Sequence, residues 1–474
     1  MTAKVIFMLT VLIVSLVIRI PVFASLLLTA VLFAMVFSGF MPMSVIATGL
    51  SSGLGNINLS GVIFFFLAGE LMTRSGIARK IVNFLRACIG HLRGGLSHIN
   101  IIESVNFAGV SGSSMADTAA MHKLLVPEMV KDGYSAAYAS AITLASSNIG
   151  PVIPPSTGLV LLAIYVGANV KKVLMGGLVP GILMAICMAV WSVYICNKRN
   201  YPKGEWKGFG YLFKVLRETF FSLIMPVLVV LCLSFGIGTV DEVGAGMCFY
   251  CVIVGVFVYK ELSLRDIGEC AVEAAKTTGK MLSIQGACGI FNWIVASLGL
   301  RTLLRQYMEP LVPYPVVMML VVLAILLIGG CFMSHMVMLY VVTPILSVLA
   351  VAAGYDITAF CVFAMIACSL GMITPPVGQL LYVGAEMADV SIGELIKEVT
   401  PFIVTIIVAL LLLIFLPRVA YSPPEMVLSD RERTNGYKRN VSKSLRMKAG
   451  QDRNEKSDRC ACSHSSRDDA RENG

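Results

Sequence analysis
Charge is what this chain has least of. Only 14% of its 474 residues are Asp, Glu, Lys or Arg, against 57% hydrophobic, and the mean hydropathy is +0.82. A soluble domain needs polar surface over most of its exterior, so that class is excluded. Uncharged runs extend over Ile20–Gly69, Gly133–Val170, Thr219–Val240, Pro310–Tyr355 and Ile357–Ala385, among others. A bilayer core takes about 20 apolar helical residues to cross. The alternating ten-residue pattern of an outer-membrane barrel is missing, which leaves helices as the spanning elements. A secreted disulfide framework is also missing: the thirteen cysteines are scattered mostly through apolar runs, and no His cluster accompanies Cys460 and Cys462. The net charge of +9 is spread along the chain in a way that excludes a nucleic-acid partner and reports orientation instead. Between Asn197 and Glu218 stand Lys198, Arg199, Lys203, Lys207, Lys214 and Arg217 against Glu205, which marks a cytoplasmic loop. Arg74 to Arg93 reads as a basic interfacial helix on the same side, with Glu70 and Arg74 spaced as an i,i+4 pair.

Residues 1–420 form one transmembrane domain. After it, 421–474 carry twelve basic and nine acidic residues with almost no apolar periodicity, the composition of a disordered tail. The membrane domain repeats internally. A shift of 221 lays 109–182 on 330–403, bringing Gly109 onto Gly330, Gly133-Tyr134 onto Gly354-Tyr355, Gly150 onto Gly371, Pro154-Pro155 onto Pro375-Pro376 and Pro180 onto Pro401. Glycine and proline constrain backbone geometry, so a shared register of both implies a shared backbone path. Repeat one runs over about 22–197 and repeat two over about 243–417, with one additional span between them that inverts the second. The expected fold is an all-α polytopic membrane protein, an inverted-repeat secondary transporter with two re-entrant hairpins and two discontinuous helices.

The run Gly133–Val170 is too long for one straight span, and Gly150-Pro151-Val152-Ile153-Pro154-Pro155 breaks it. Gly371-Met372-Ile373-Thr374-Pro375-Pro376 breaks its counterpart. Interrupted helices at matching places in two halves point to a transport site. Breaks free carbonyl oxygens, which suit a hard cation, and neither break contains a carboxylate. Sodium held by neutral oxygens is therefore the expected coupling ion. The second element is Gly109-Val110-Ser111-Gly112-Ser113-Ser114, mirrored by Gly330-Cys331-Phe332-Met333-Ser334, each the tip of a hairpin. Gly109-Val110-Ser111-Gly112 also spells GxSG, as in rhomboid intramembrane proteases, a reading that requires His335 or His122 to act as base. Asp117 reads as a cap or orienting group for the hairpin, and His122 as an interfacial or packing residue.

These motifs resemble the signatures of the large membrane subunit of TRAP transporters. They comprise Ser111-Gly112-Ser113-Ser114-Met115-Ala116-Asp117, Ala145-Ser146-Ser147-Asn148-Ile149-Gly150 through Ser156, and Gly371 through Gly378. The resemblance spans roughly residues 1–420. It implies a sodium-coupled, elevator-type permease of the bacterial inner membrane, with no other cofactor. Its implied partners are a small four-helix membrane subunit and a periplasmic substrate-binding protein, and its implied substrate is an organic acid such as a dicarboxylate or sialic acid. It also implies one sodium site at Ser111, Ser113, Gly150, Ile153 and Pro155 and another at Gly330, Gly371, Thr374 and Val377. The substrate region is then Ser114, Asp117, Asn148 and Ser334. Three positions depart from the family's habit: Ser334 where an acid is usual, His122 where glycine is, and Asn148 where threonine is commoner. A self-sufficient anion permease of the same broad group is the alternative within transport.

Overall fold
A computed structural model describes residues 2–18, 20–37, 44–54, 60–111, 114–154, 156–204, 206, 208–235, 238–299, 306, 308–333, 335–375 and 378–416. The tail at 421–474 lies outside them. The described residues are almost wholly helical, with one isolated bridge between Arg93 and Lys203. Val170–Lys198, Asp241–Val258, His335–Ala352 and Ile392–Phe415 are long and apolar enough to cross a membrane, and shorter apolar helices accompany them.

The repeat is visible in the element boundaries. Gly95–Ser111 shifted by 221 becomes 316–332, against an observed Pro315–Phe332. Thr157–Val166 becomes 378–387, against Gln379–Ala388, and Val170–Lys198 becomes 391–419, against Ile392–Phe415. The linking helix Gly208–Phe235 carries Pro226 inside it.

The helices pack in two neighbouring sets that meet where Gly95–Ser111 lies against Ser60–Arg74 and Ile77–Ile89. In one, Leu264–Ser297 lies against Val22–Val36, Ser44–Leu54 and Ser60–Arg74, and Val240–Ile253 lies against Ser60–Arg74. Gly49 allows the close approach: a Cβ there would stand 2.9 Å from Ile290 Cα. The other group holds the hairpins, the broken helices, Val170–Lys198 and Ile392–Phe415. Ile77–Ile89 is the basic amphipathic helix expected near the interface. The Glu70–Arg74 pair is not what forms. Arg74 instead reaches across to Leu264–Ser297, 2.6 Å from Glu269 and 3.7 Å from Asp266, because that helix brings two carboxylates to its guanidinium. The hydrogen bond from Arg74 holds the Glu269 carboxyl below the usual range.

Candidate functional site
Each break in a helix follows from its prolines. Ala136–Ser146 starts at Ser135, whose Oγ accepts from Tyr138 N, then tightens into a 3₁₀ turn at Ser147–Ile149 and stops. The chain restarts at Thr157, where Ser156 Oγ accepts from Leu159 N and donates to the Pro151 carbonyl at 2.5 Å. The amide that would serve the Gly150 carbonyl in a continuous helix belongs to Pro154, which has no N–H. In repeat two, Ile357–Gly371 ends in the same way: Pro375 removes the α-helical donor of the Gly371 carbonyl, which accepts instead from Thr374 N at 3.2 Å. Two glycine carbonyls at one repeat register thus lose their α-helical donors to proline, and the one at Gly371 keeps a single tighter bond from Thr374 N. Gly177 and Gly181 of Val170–Lys198 make room for the first break: a Cβ at Gly177 would stand 2.1 Å from the Val152 carbonyl oxygen, and one at Gly181 would meet the Ile153 side chain.

The hairpins close on the breaks. Helix Gly95–Ser111 turns back into Ser114–Leu124, and Pro315–Phe332 turns back into His335–Ala352. In repeat two, Gly330 meets Gly371 so closely that a Cβ on Gly371 would lie 2.6 Å from Gly330 Cα. Cys331 Sγ reaches the Pro375 carbonyl at 3.5 Å. In repeat one the contact is a polar ladder. Asn100 Nδ2 donates to Thr143 Oγ1 at 2.8 Å, Ser146 Oγ donates to Asn100 Oδ1 at 2.9 Å, and Ser104 Oγ donates to Ser146 Oγ at 2.9 Å. This ladder escaped sequence reasoning. Its signal was polar residues four apart (Asn100 and Ser104) facing Thr143 and Ser146 within apolar segments.

Polar side chains that lack a partner gather at the same places. Ser114 Oγ, both carboxylate oxygens of Asp117, Thr118 Oγ1 and Asn148 Oδ1 are buried without one in repeat one. In repeat two the same holds for His335 Nδ1, Tyr340 Oη and Ser369 Oγ. The 221 shift takes Ser114 onto His335 and Asn148 onto Ser369. Buried polar groups are nearly always hydrogen-bonded, and leaving one unmade costs about 1–3 kcal/mol. Unpaired groups thus recur at two equivalent positions of the repeats, Ser114 with His335 and Asn148 with Ser369. Asp117 sits in the first turn of its helix, and the hydroxyls of Ser104 and Ser147 lie beside its carboxylate.

Of the residues singled out from sequence, Gly150, Ile153, Gly330, Gly371, Thr374, Ser114, Asp117 and Asn148 lie at these breaks and hairpins. Thr374 Oγ1 donates to the Leu370 carbonyl at 2.7 Å, which leaves its lone pairs free to accept. Ser111 closes its helix, with its side chain outside the described atoms. Ser113, Pro155, Ser334 and Val377 lie outside the described residues.

Known proteins agree with this architecture. A solved structure, the Alcanivorax borkumensis YdaH transporter, superposes with a TM-score of 0.60 at 14% identity, covering 83% of this chain and 97% of that one, a likeness of fold. The chain is 32% identical over 411 residues to the sialic acid TRAP transporter large permease protein SiaM of Vibrio cholerae, covering 86% of this chain and 95% of that protein. It is 28% identical to the 2,3-diketo-L-gulonate TRAP transporter large permease protein YiaN of Escherichia coli, covering 80% and 89%. It is 31% identical to the isethionate TRAP transporter permease protein DctMQ of Oleidesulfovibrio alaskensis, covering 85% of this chain and 64% of that longer protein. The family described as the tripartite ATP-independent periplasmic transporter, DctM component, matches residues 9–419. The chain belongs to that family: it is a multi-pass membrane permease and not a serine protease.

Proposed function
We propose that this permease couples uptake of an organic acid to sodium. The observation that carries the reading is the pair of breaks at Gly150 and Gly371, where a proline removes the i+4 donor of each glycine carbonyl, only Thr374 N still bonds the Gly371 carbonyl, and neither break contains a carboxylate. Neutral oxygens of this kind suit a monovalent hard cation. The family resemblance assigns Ser111, Ser113, Ile153 and Pro155 to the first seat with Gly150, and Gly330, Thr374 and Val377 to the second with Gly371. The substrate lies between them, at Ser114, Asp117, Asn148 and Ser334. An acid is favoured because the named relatives carry sialic acid, 2,3-diketo-L-gulonate and isethionate, all anionic. A small membrane subunit and a periplasmic binding protein complete the transporter in the bacterial inner membrane. The longer isethionate permease, of which this chain matches only part, has room for such a subunit in the same polypeptide.

The hairpins and broken helices move together as one unit, while residues 22–40 and 243–259 with the interfacial helices stay fixed. The motivation is geometric, since rigid movement preserves ligands contributed by both repeats. Cysteine pairs between a hairpin and the fixed helices should trap one state and stop transport. A pair that forms in both inward- and outward-facing states without stopping transport would disprove the moving unit.

The function is tested in proteoliposomes holding this chain, the small subunit and the binding protein. Uptake should require an inward sodium gradient. Equal uptake under a proton gradient alone would refute sodium coupling, and robust saturable uptake by this chain alone would refute dependence on a binding protein.

A further inference from the structure
His122 is buried among three segments. Its Nδ1 stands 2.9 Å from the Thr118 carbonyl on its own helix, and its Nε2 stands 2.8 Å from Ser140 Oγ on the first broken helix. Ser140 Oγ also reaches, at 3.1 Å, the carbonyl of Gly384 in the second broken helix. One line of contacts thus joins the first hairpin to both breaks' helices, across the two repeats. Glycine at 384 permits the approach, because a Cβ there would lie 3.0 Å from Ser140 Oγ and 2.8 Å from Leu144 Cδ1.

Counting protons along the line shows what it can do. The Thr118 carbonyl only accepts, so Nδ1 carries a hydrogen. The Gly384 carbonyl only accepts, so it needs the one hydroxyl proton of Ser140. With that proton committed, Ser140 can meet Nε2 only by accepting, which requires a hydrogen on Nε2 as well. Both ring nitrogens are then protonated, and the line is complete. With a neutral ring, Nε2 is an acceptor, and the single Ser140 proton serves Nε2 or Gly384 but not both.

We propose that His122 is a positioning residue whose protonation ties the second broken helix to the first hairpin through Ser140, and whose deprotonation loosens that tie. The titratable groups on the elements packed around it are Asp117 and Lys123 on its own helix, His98 and Glu103 on Gly95–Ser111, Glu128 and Lys131 on Val126–Lys131, Tyr138 on Ala136–Ser146, and Tyr382 and Glu386 on Gln379–Ala388. Both ring nitrogens are already taken by Thr118 and Ser140. Any effect on uptake rests on the transport reading above; the tie itself does not.

Hydrogen exchange of the amides in 379–388, measured on the full chain between about pH 5 and 8 and corrected for intrinsic rates, tests the tie directly. Protection should rise roughly fivefold toward low pH, on the scale of one net hydrogen bond. It should stay flat in Ser140→Ala, and equally in His122→Gln, which keeps polar atoms without titrating. A wild-type profile that matches both variants overturns the proposal, and either variant alone suffices if the other does not fold. Exchange that follows pH while the KM for uptake does not would uphold the tie and reject its influence on transport.

Discussion
The two repeats share a backbone and differ in what fills it. Where repeat one joins hairpin to broken helix through Asn100, Ser104, Thr143 and Ser146, the shift of 221 finds Val321, Ile325, Ala364 and Ala367 in repeat two. Asp117 faces its break in repeat one, and Met338 stands at the equivalent place. Repeat two relies on glycine against glycine and on sulfur, with Gly330 on Gly371, Cys331 on the Pro375 carbonyl and Thr343 near Cys368 Sγ at 3.7 Å. One backbone path can therefore be held by directional hydrogen bonds or by close packing. Only the glycines and prolines that shape the path need to recur.

The largest effect should come from Gly371→Ala. Its Cβ would press on Gly330 Cα, and backbone cannot yield as a side-chain tip does. Uptake should fall to background while the protein still inserts, as checked by transport and by size-exclusion behaviour. Next is the ladder. Asn100→Val leaves Thr143 and Ser146 short of a partner and should cost about 1–3 kcal/mol in thermal or denaturant unfolding. Adding Ser104→Ile, Thr143→Ala and Ser146→Ala transplants the repeat-two residues and should recover part of that loss, because apolar replacement of both partners is nearly neutral. A quadruple variant that loses the sum of the single costs would show that the two interfaces are not interchangeable.

Thr374→Ala removes a hydroxyl beside the second break and should weaken apparent sodium affinity about tenfold, or 1–2 kcal/mol, read from the sodium dependence of uptake. Arg86→Gln should matter least. Its ion pair with Glu128 is half-exposed, so a change of about 0–1 kcal/mol, diminishing with salt, is expected in unfolding.

The course of the backbone was legible in the sequence because it is written in residues with steric consequences. Gly150-Pro151 through Pro155 and Gly371 through Pro376 placed both breaks, and the 221 register placed both hairpins. Contacts between distant segments were not legible. Arg74 lies four residues from Glu70, yet it pairs with Glu269, nearly two hundred residues away, since only the fold brings that helix alongside. His122 looked like a packing residue because nothing local shows that Ser140 and Gly384 converge on it. Asp117 was visible as a buried-segment acid, but the matching unpaired groups at Asn148 and Ser369 emerge only once burial is known.

Sodium counting bears most directly on two repeat-related cation seats. Labelled sodium and labelled substrate entering proteoliposomes with the small subunit and binding protein should be measured together, in the wild type and in Thr374→Ala. Two seats predict more than one sodium per substrate in the wild type, and a higher sodium requirement in the variant. Substrate accumulation without sodium entry would contradict them.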